Sequence, residues 1–122
     1  MPLSKPSAGF PAEARLHLPA EFTRSFRQGF RITDTCFNVY AVRTENIARL
    51  GITVAKKTVA GAVGRNRIKR AVRESFRQQR AALPTLDIVV QAKPAAGHTS
   101  NAGLRQSLER HWQELIKRCA AS

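Results

Sequence analysis

Between Lys56 and Arg80 the chain sets nine basic residues, Lys56, Lys57, Arg65, Arg67, Lys69, Arg70, Arg73, Arg77 and Arg80, against a single acid, Glu74. A solvated helix face normally mixes signs, because opposite charges four residues apart stabilise a helix and like charges destabilise it. So one-sided a run calls for an anion to neutralise it. Most of its charge is arginine, whose planar guanidinium can bridge two phosphate oxygens where a lysine ammonium is only a point charge. Asn66, between Arg65 and Arg67, adds a donor and an acceptor able to read a base edge or a ribose 2′-hydroxyl. Gly64 before them would let a ligand approach the backbone closely, where free helix amides favour anions. The chemistry on offer is phosphate binding on a structured nucleic acid, and the charges alone do not separate RNA from DNA.

Residues that could cut a phosphodiester bond are not gathered in the same way. Metal-assisted hydrolysis needs converging carboxylates, and general acid–base catalysis needs a placed His or Lys. The eight acids, Glu13, Glu21, Asp34, Glu45, Glu74, Asp87, Glu109 and Glu114, are dispersed, and no nucleophile motif or glycine-rich nucleotide loop accompanies them. His17, His98 and His111 stand singly, so structural or solvated roles are expected for each. Cys36 and Cys119 lack partners at metal-ligand spacing and read as half-buried small apolar residues, with neither a disulfide nor a zinc site. No catalytic residue and no metal ligand is assigned.

The whole chain of 122 residues carries 21 Lys and Arg against 8 Asp and Glu, a net charge of +13, at the length of one domain. An anionic membrane surface would also attract that charge, but no apolar run approaches the roughly 20 residues of a membrane span. Pro2, Pro6 and Pro11 interrupt the apolar residues near the N-terminus, so no secretory signal is read and the expected location is the cytoplasm. Residues 1–14 are expected to form a flexible leader, and residues 15–120 a single RNA-binding domain.

The elements that must carry the basic residues follow from periodicity. Pro19 suits a first helical turn, Phe22 and Phe26 fall four residues apart on one face, and Gly29 ends the helix. Thr35 to Val42 and Arg49 to Ala55 alternate as strands do. In the first, Phe37, Val39 and Ala41 share one face while Cys36, Asn38 and Tyr40 point the other way. In the second, Leu50, Ile52 and Val54 oppose the small residues Gly51, Thr53 and Ala55. From Arg65 to Arg80 a helical period places Ile68, Ala71, Val72, Ser75 and Phe76 on one arc and Asn66, Lys69, Arg70, Arg73 and Arg77 on the other. Asp87 to Ala92 reads as a buried strand ended by Pro94 and Gly97. Asn101 to Cys119 reads as a helix capped by Ser100, with a core stripe of Leu104, Leu108, Trp112 and Leu115. The order helix, strand, strand, helix, strand, helix predicts an α/β sandwich with helices on a small sheet.

The run Leu50-Gly-Ile-Thr-Val-Ala-Lys-Lys-Thr-Val-Ala-Gly-Ala-Val-Gly-Arg-Asn-Arg-Ile-Lys-Arg70, continued by Ala-Val-Arg-Glu-Ser-Phe-Arg77, closely resembles the signature of the bacterial ribonuclease P protein family. Its most specific part is Arg65-Asn66-Arg67 followed by Ile68-Lys69-Arg70, and the likeness runs in the same order from the Phe22 and Phe26 helix to the Trp112 helix. The resemblance implies a left-handed crossover from the 49–55 strand through the basic helix to the 86–92 strand, against the usual right-handed preference. It implies a non-catalytic subunit of an endonuclease, assisting a catalytic RNA that removes the 5′ leader from precursor tRNA, with the chemistry and Mg²⁺ belonging mainly to the RNA. By the same resemblance Lys56, Lys57, Arg65, Asn66, Arg67, Lys69, Arg70, Arg73 and Arg77 face that RNA, and Phe22, Phe26 and Tyr40 line a cleft for the leader. On spacing alone Phe22 and Phe26 read first as core residues. No obligate protein partner is expected. A ribosomal or other structural RNA-binding protein would share the charge and size, whereas a DNA-binding regulator would need a helix-turn-helix partner that is not evident.

Overall fold

Alternation of apolar with polar residues, and the turns that interrupt it, set the architecture. The structure, a computed structural model, describes residues 29–45 and 47–121; the leader 1–14 and the helix assigned to Phe22 and Phe26 lie outside the described residues. The elements in order are β1 (Phe30–Thr33), β2 (Phe37–Arg43), β3 (Arg49–Thr53), α1 (Ala62–Gln79), β4 (Leu86–Ala92), a 3₁₀ turn (Pro94–His98) and α2 (Asn101–Ala121). The strands form one sheet in the order β1-β2-β4-β3. β1 with β2 and β2 with β4 are antiparallel, while β3 lies parallel to β4, with α1 as the crossover between them.

Register aligns the apolar face across the sheet. Phe37 stands opposite Ala92, Val39 opposite Val90 and Ala41 opposite Ile88, and Leu50 and Ile52 of β3 extend the same rows. Ile68, Val72 and Phe76 of α1 and Leu104, Leu108, Trp112 and Leu115 of α2 join them in a single buried cluster. Burying each such side chain fully contributes about 1.5–3 kcal/mol. The two helices are locked to each other inside it. Trp112 Nε1 donates to Ser75 Oγ at 2.7 Å, and the Phe76 and Trp112 rings meet edge to face at 6.0 Å. Among the described residues no helix is long and apolar enough to cross a membrane.

Strand β1 is absent from the sequence reading. Its four residues are too few for a period to show, and the turn makes it a strand: Asp34 Oδ1 accepts the amides of Cys36 (3.0 Å) and Phe37 (2.9 Å), an Asx turn that folds β1 back on β2. That turn also corrects Cys36. Expected beside Asn38 and Tyr40, it instead precedes β2 and is buried in the core cluster, with its Sγ 3.4 Å from Thr99 Oγ1. β3 ends at Thr53 rather than Ala55, because the Ala55 carbonyl accepts the amides of Thr58 and Val59, both at 3.0 Å, and turns the chain. α1 then starts at Ala62, three residues before Arg65.

Candidate nucleic-acid interface

Burial of Ile68, Val72, Ser75 and Phe76 fixes how α1 is rotated against the sheet. Asn66, Arg70, Arg73 and Arg77 are consequently exposed on its outer face, with Lys69 half-buried at the margin. Lys56 and Lys57 are exposed in the turn that leads into the helix. Among the described residues neither Arg70 nor Arg73 has a hydrogen-bond or ion-pair partner, so both guanidinium groups are available to an anion. Arg77 is engaged with Glu74, donating from Nε to Oε1 at 3.3 Å and from Nη2 to Oε2. Those bonds hold the Glu74 carboxyl below the usual carboxylate range and raise Arg77.

Arg65 and Arg67, read from the sequence as RNA contacts, also hold the protein's own backbone. Arg65 Nη1 donates to the carbonyls of Val59 (2.9 Å) and Ala60 (2.6 Å), stapling the Lys56–Lys57 loop to the start of α1. Arg67 Nη1 reaches the Thr99 carbonyl (3.0 Å) and Asn101 Oδ1 (2.9 Å), and its Nη2 reaches the Ala96 carbonyl at 3.4 Å. It thereby ties α1 to the 3₁₀ turn and to the first residue of α2. Gly64 also has a packing role. A Cβ there would lie 3.1 Å from Val59 Cγ1, and one at Gly97 would lie 3.4 Å from Val59 Cγ2. Val59 fits between the two glycines and holds the loop down.

The sheet face turned away from α1 and α2 carries a second set of residues, with Val89 fully buried at its centre. Tyr40 lies on it, half-buried, in a cross-strand row with Arg31, Val89 and the side-chain-free Gly51. The adjoining row is polar and linked. Thr33 Oγ1 donates to Asn38 Oδ1 (2.6 Å), and Asn38 Nδ2 donates to Gln91 Oε1 (2.9 Å). Tyr40 is therefore on the opposite side of the sheet from the basic helix. Phe22 and Phe26, assigned to the same cleft, lie outside the described residues.

The described acids are mostly held by cations or amides. Asp87, 1% exposed, takes a two-pronged bond from Arg49, Nε to Oδ1 and Nη2 to Oδ2, each 2.8 Å. Asp34 accepts the Ser107 hydroxyl as well as its two turn amides, and the buried His111 brings Nε2 within 3.2 Å of Oδ1. Burial, the largest single influence on the Asp34 carboxyl, pushes its pKa up. The Ser107 hydroxyl, the Phe37 amide and His111 together outweigh it, so the net shift is downward. Among the described residues no three His, Cys, Asp or Glu side chains come together in a way that could hold a metal ion. Asn101 and Arg105 of α2 do reach the edge of the basic surface, beside Arg67 and Arg70. Sequence reasoning missed both, because α2 alternates its signs through Arg105, Glu109, Arg110 and Glu114 and shows no basic run.

Comparison with known proteins gives the same picture along the chain. The ribonuclease P family model matches residues 10–116. The ribonuclease P protein component of Methylococcus capsulatus is 44% identical, over 93% of this chain and 90% of that protein. An RNase P protein mutant from Staphylococcus aureus superposes with a TM-score of 0.78 at 36% identity, covering 86% of this chain and 89% of that one. The RNase P protein from Thermotoga maritima superposes with a TM-score of 0.74 at 30% identity, covering 80% and 96%.

Proposed function

Because this chain belongs to the ribonuclease P protein family, we propose that it binds the catalytic ribonuclease P RNA through α1 and assists it, as a non-catalytic subunit, in removing the 5′ leader from precursor tRNA. The observation that carries this reading is the outer face of α1, where Asn66, Arg70 and Arg73 are exposed side by side. Each phosphate neutralised there releases condensed counterions, which makes binding favourable and salt-dependent. Arg65 holds the Lys56–Lys57 loop to the helix start and Arg67 holds α1 to the start of α2, so the backbone that carries the exposed donors is already in place. Two polyanions, the catalytic RNA and its substrate, repel each other, and a subunit of net charge +13 lowers that repulsion.

The leader contacts belong to the far side of the sheet. Tyr40 shares a cross-strand row with Val89 and Gly51 on that face, and the family resemblance assigns Phe22 and Phe26, outside the described residues, to the same cleft. An aromatic ring stacked on an unpaired base contributes about 1–3 kcal/mol and tolerates many base identities, which suits leaders of varied sequence. The Mg²⁺ that phosphodiester cleavage calls on is assigned to the RNA, as the family resemblance implies. With precursor tRNA as the proposed substrate, the cytoplasm is the proposed location.

Arg73→Ala tests the reading on the residue with least structural involvement. Binding to the catalytic RNA should weaken, and the slope of log affinity against log salt should flatten by about 0.7–0.9, one phosphate contact. Unchanged affinity and slope in a folded variant would overturn the assignment of this face.

A further inference from the structure

Helices α1 and α2 leave between them a groove of about 210 Å³, lined in part by Arg67, Arg70, Glu74, Asn101 and Arg105. It is smaller than the roughly 300–1,000 Å³ pockets that hold drug-sized ligands, and suits a single compact group. Three arginines line it from two helices, an excess of positive charge that an entering anion would offset. The one acid in the lining does not offset them. Both Glu74 oxygens accept from Arg77, on the outer side of α1, and Oε2 also takes Gln78 Nε2 at 3.3 Å. Arg105 has Glu109 four residues on, yet no ion pair joins them among the described residues.

The donors are also unequally mobile. Arg67 is pinned by the Thr99 and Ala96 carbonyls and by Asn101 Oδ1, which leaves the Asn101 amide nitrogen as a donor. Arg70 and Arg105 are exposed and free to close on a guest from opposite walls. We propose that the groove seats one phosphate of the catalytic RNA's backbone, clamped by Arg70 from α1 and Arg105 from α2, with Arg67 as a fixed cation beside it. This rests on the reading of α1 as the RNA-binding face and extends that face to α2. A single helix face can roll on a phosphate track, whereas one phosphate gripped from two helices fixes the rotation of the protein on the RNA.

The test is binding of full-length Arg105→Gln, Arg70→Gln and the double variant to the catalytic RNA across a salt series. Arg73→Gln serves as a reference on α1, and Lys117→Gln as an equal charge change on α2 outside the groove. Arg105→Gln should weaken binding about tenfold, as expected for one charge-assisted hydrogen bond, and Lys117→Gln much less. Since both arginines hold the same phosphate, the double variant should flatten the salt slope by about 0.7–0.9, one contact, and not by about 1.4–1.8. A two-contact loss would overturn the shared phosphate. Equal losses from Lys117→Gln and Arg105→Gln would reduce the effect to bulk charge and overturn the clamp. Wild-type affinity in Arg105→Gln with a loss in Arg73→Gln would remove the groove and leave α1 as the RNA face; no loss in either would overturn both.

Discussion

Arg67→Ala should cost stability as well as RNA affinity, which sets it apart from its neighbours on α1. Its guanidinium makes two bonds of 2.9–3.0 Å and a longer one of 3.4 Å, linking α1 to the Ala96–Asn101 segment. A hydrogen bond to a charged group contributes about 1.5–3 kcal/mol when sheltered. Arg67 is only half-buried and water can replace part of each bond, so the total expected loss is about 1–3 kcal/mol. At about 4 °C per kcal/mol for a chain of this size, the thermal midpoint should fall by about 4–12 °C. Arg73→Ala, with no partner to lose among the described residues, should stay within about 0.5 kcal/mol of wild type. Circular dichroism melts of the RNA-free protein make the comparison, with Arg67→Lys as the control that keeps the charge and loses the fork. Equal midpoints for Arg67→Ala and Arg73→Ala, or full recovery in Arg67→Lys, would refute a structural role for the guanidinium geometry.

Gly103→Ala should fail to give the gain that alanine's higher helix propensity would otherwise bring, because the new Cβ would lie 2.6 Å from Thr99 Cγ2 and Thr99 is held by its 2.7 Å bond to the Ala95 carbonyl; urea unfolding reads the sign. Asp34 has a folded-state pKa below its ordinary 3.8, so its contribution is complete above about pH 4 and is lost as pH falls through the folded value. Asp34→Asn should therefore be less stable than wild type at neutral pH and should lose less on acidification below pH 4, as measured by denaturant midpoints against pH. Tyr40→Leu should weaken precursor tRNA binding by the assembled enzyme while barely changing affinity for mature tRNA, which lacks the leader; equal losses on both would remove Tyr40 from the cleft.

The parts of the fold legible in the sequence are those where one periodicity runs long enough to be unambiguous. Helix α1 is the clearest case, its buried arc of Ile68, Val72, Ser75 and Phe76 appearing as the pattern requires. The strands around Val39 and Val90 and the Trp112 stripe are equally plain. β1 escapes because Phe30 and Ile32 alone cannot establish a period, and its strand character comes from pairing with β2 across the Asp34 turn. Cys36 escapes for a related reason, since extrapolating the strand two residues back through that turn puts its side chain on the wrong face. The hand of the β3–α1–β4 crossover rests on the family resemblance, for hydrophobic pattern is blind to chirality.

The candidate site divides in the same way. A run of arginines announces an anionic partner whatever the fold, but the carbonyl that each guanidinium reaches depends on tertiary contacts. Arg65 and Arg67 therefore look like Arg70 and Arg73 in the sequence and differ from them in the structure. Gly64 shows the converse, a residue type with several possible reasons to which the position of Val59 adds packing. Arg105 could not have been singled out at all, because its part depends on α2 lying beside Arg70.

The most direct test of the central claim is cleavage of a precursor tRNA by this protein alone, by the catalytic RNA alone at low Mg²⁺, and by the two together. The protein alone should release no leader, and the mixture should cleave faster than the RNA by itself, with the advantage shrinking as Mg²⁺ is raised. Leader release by protein free of RNA, or a mixture no faster than the RNA alone at low Mg²⁺, would contradict it.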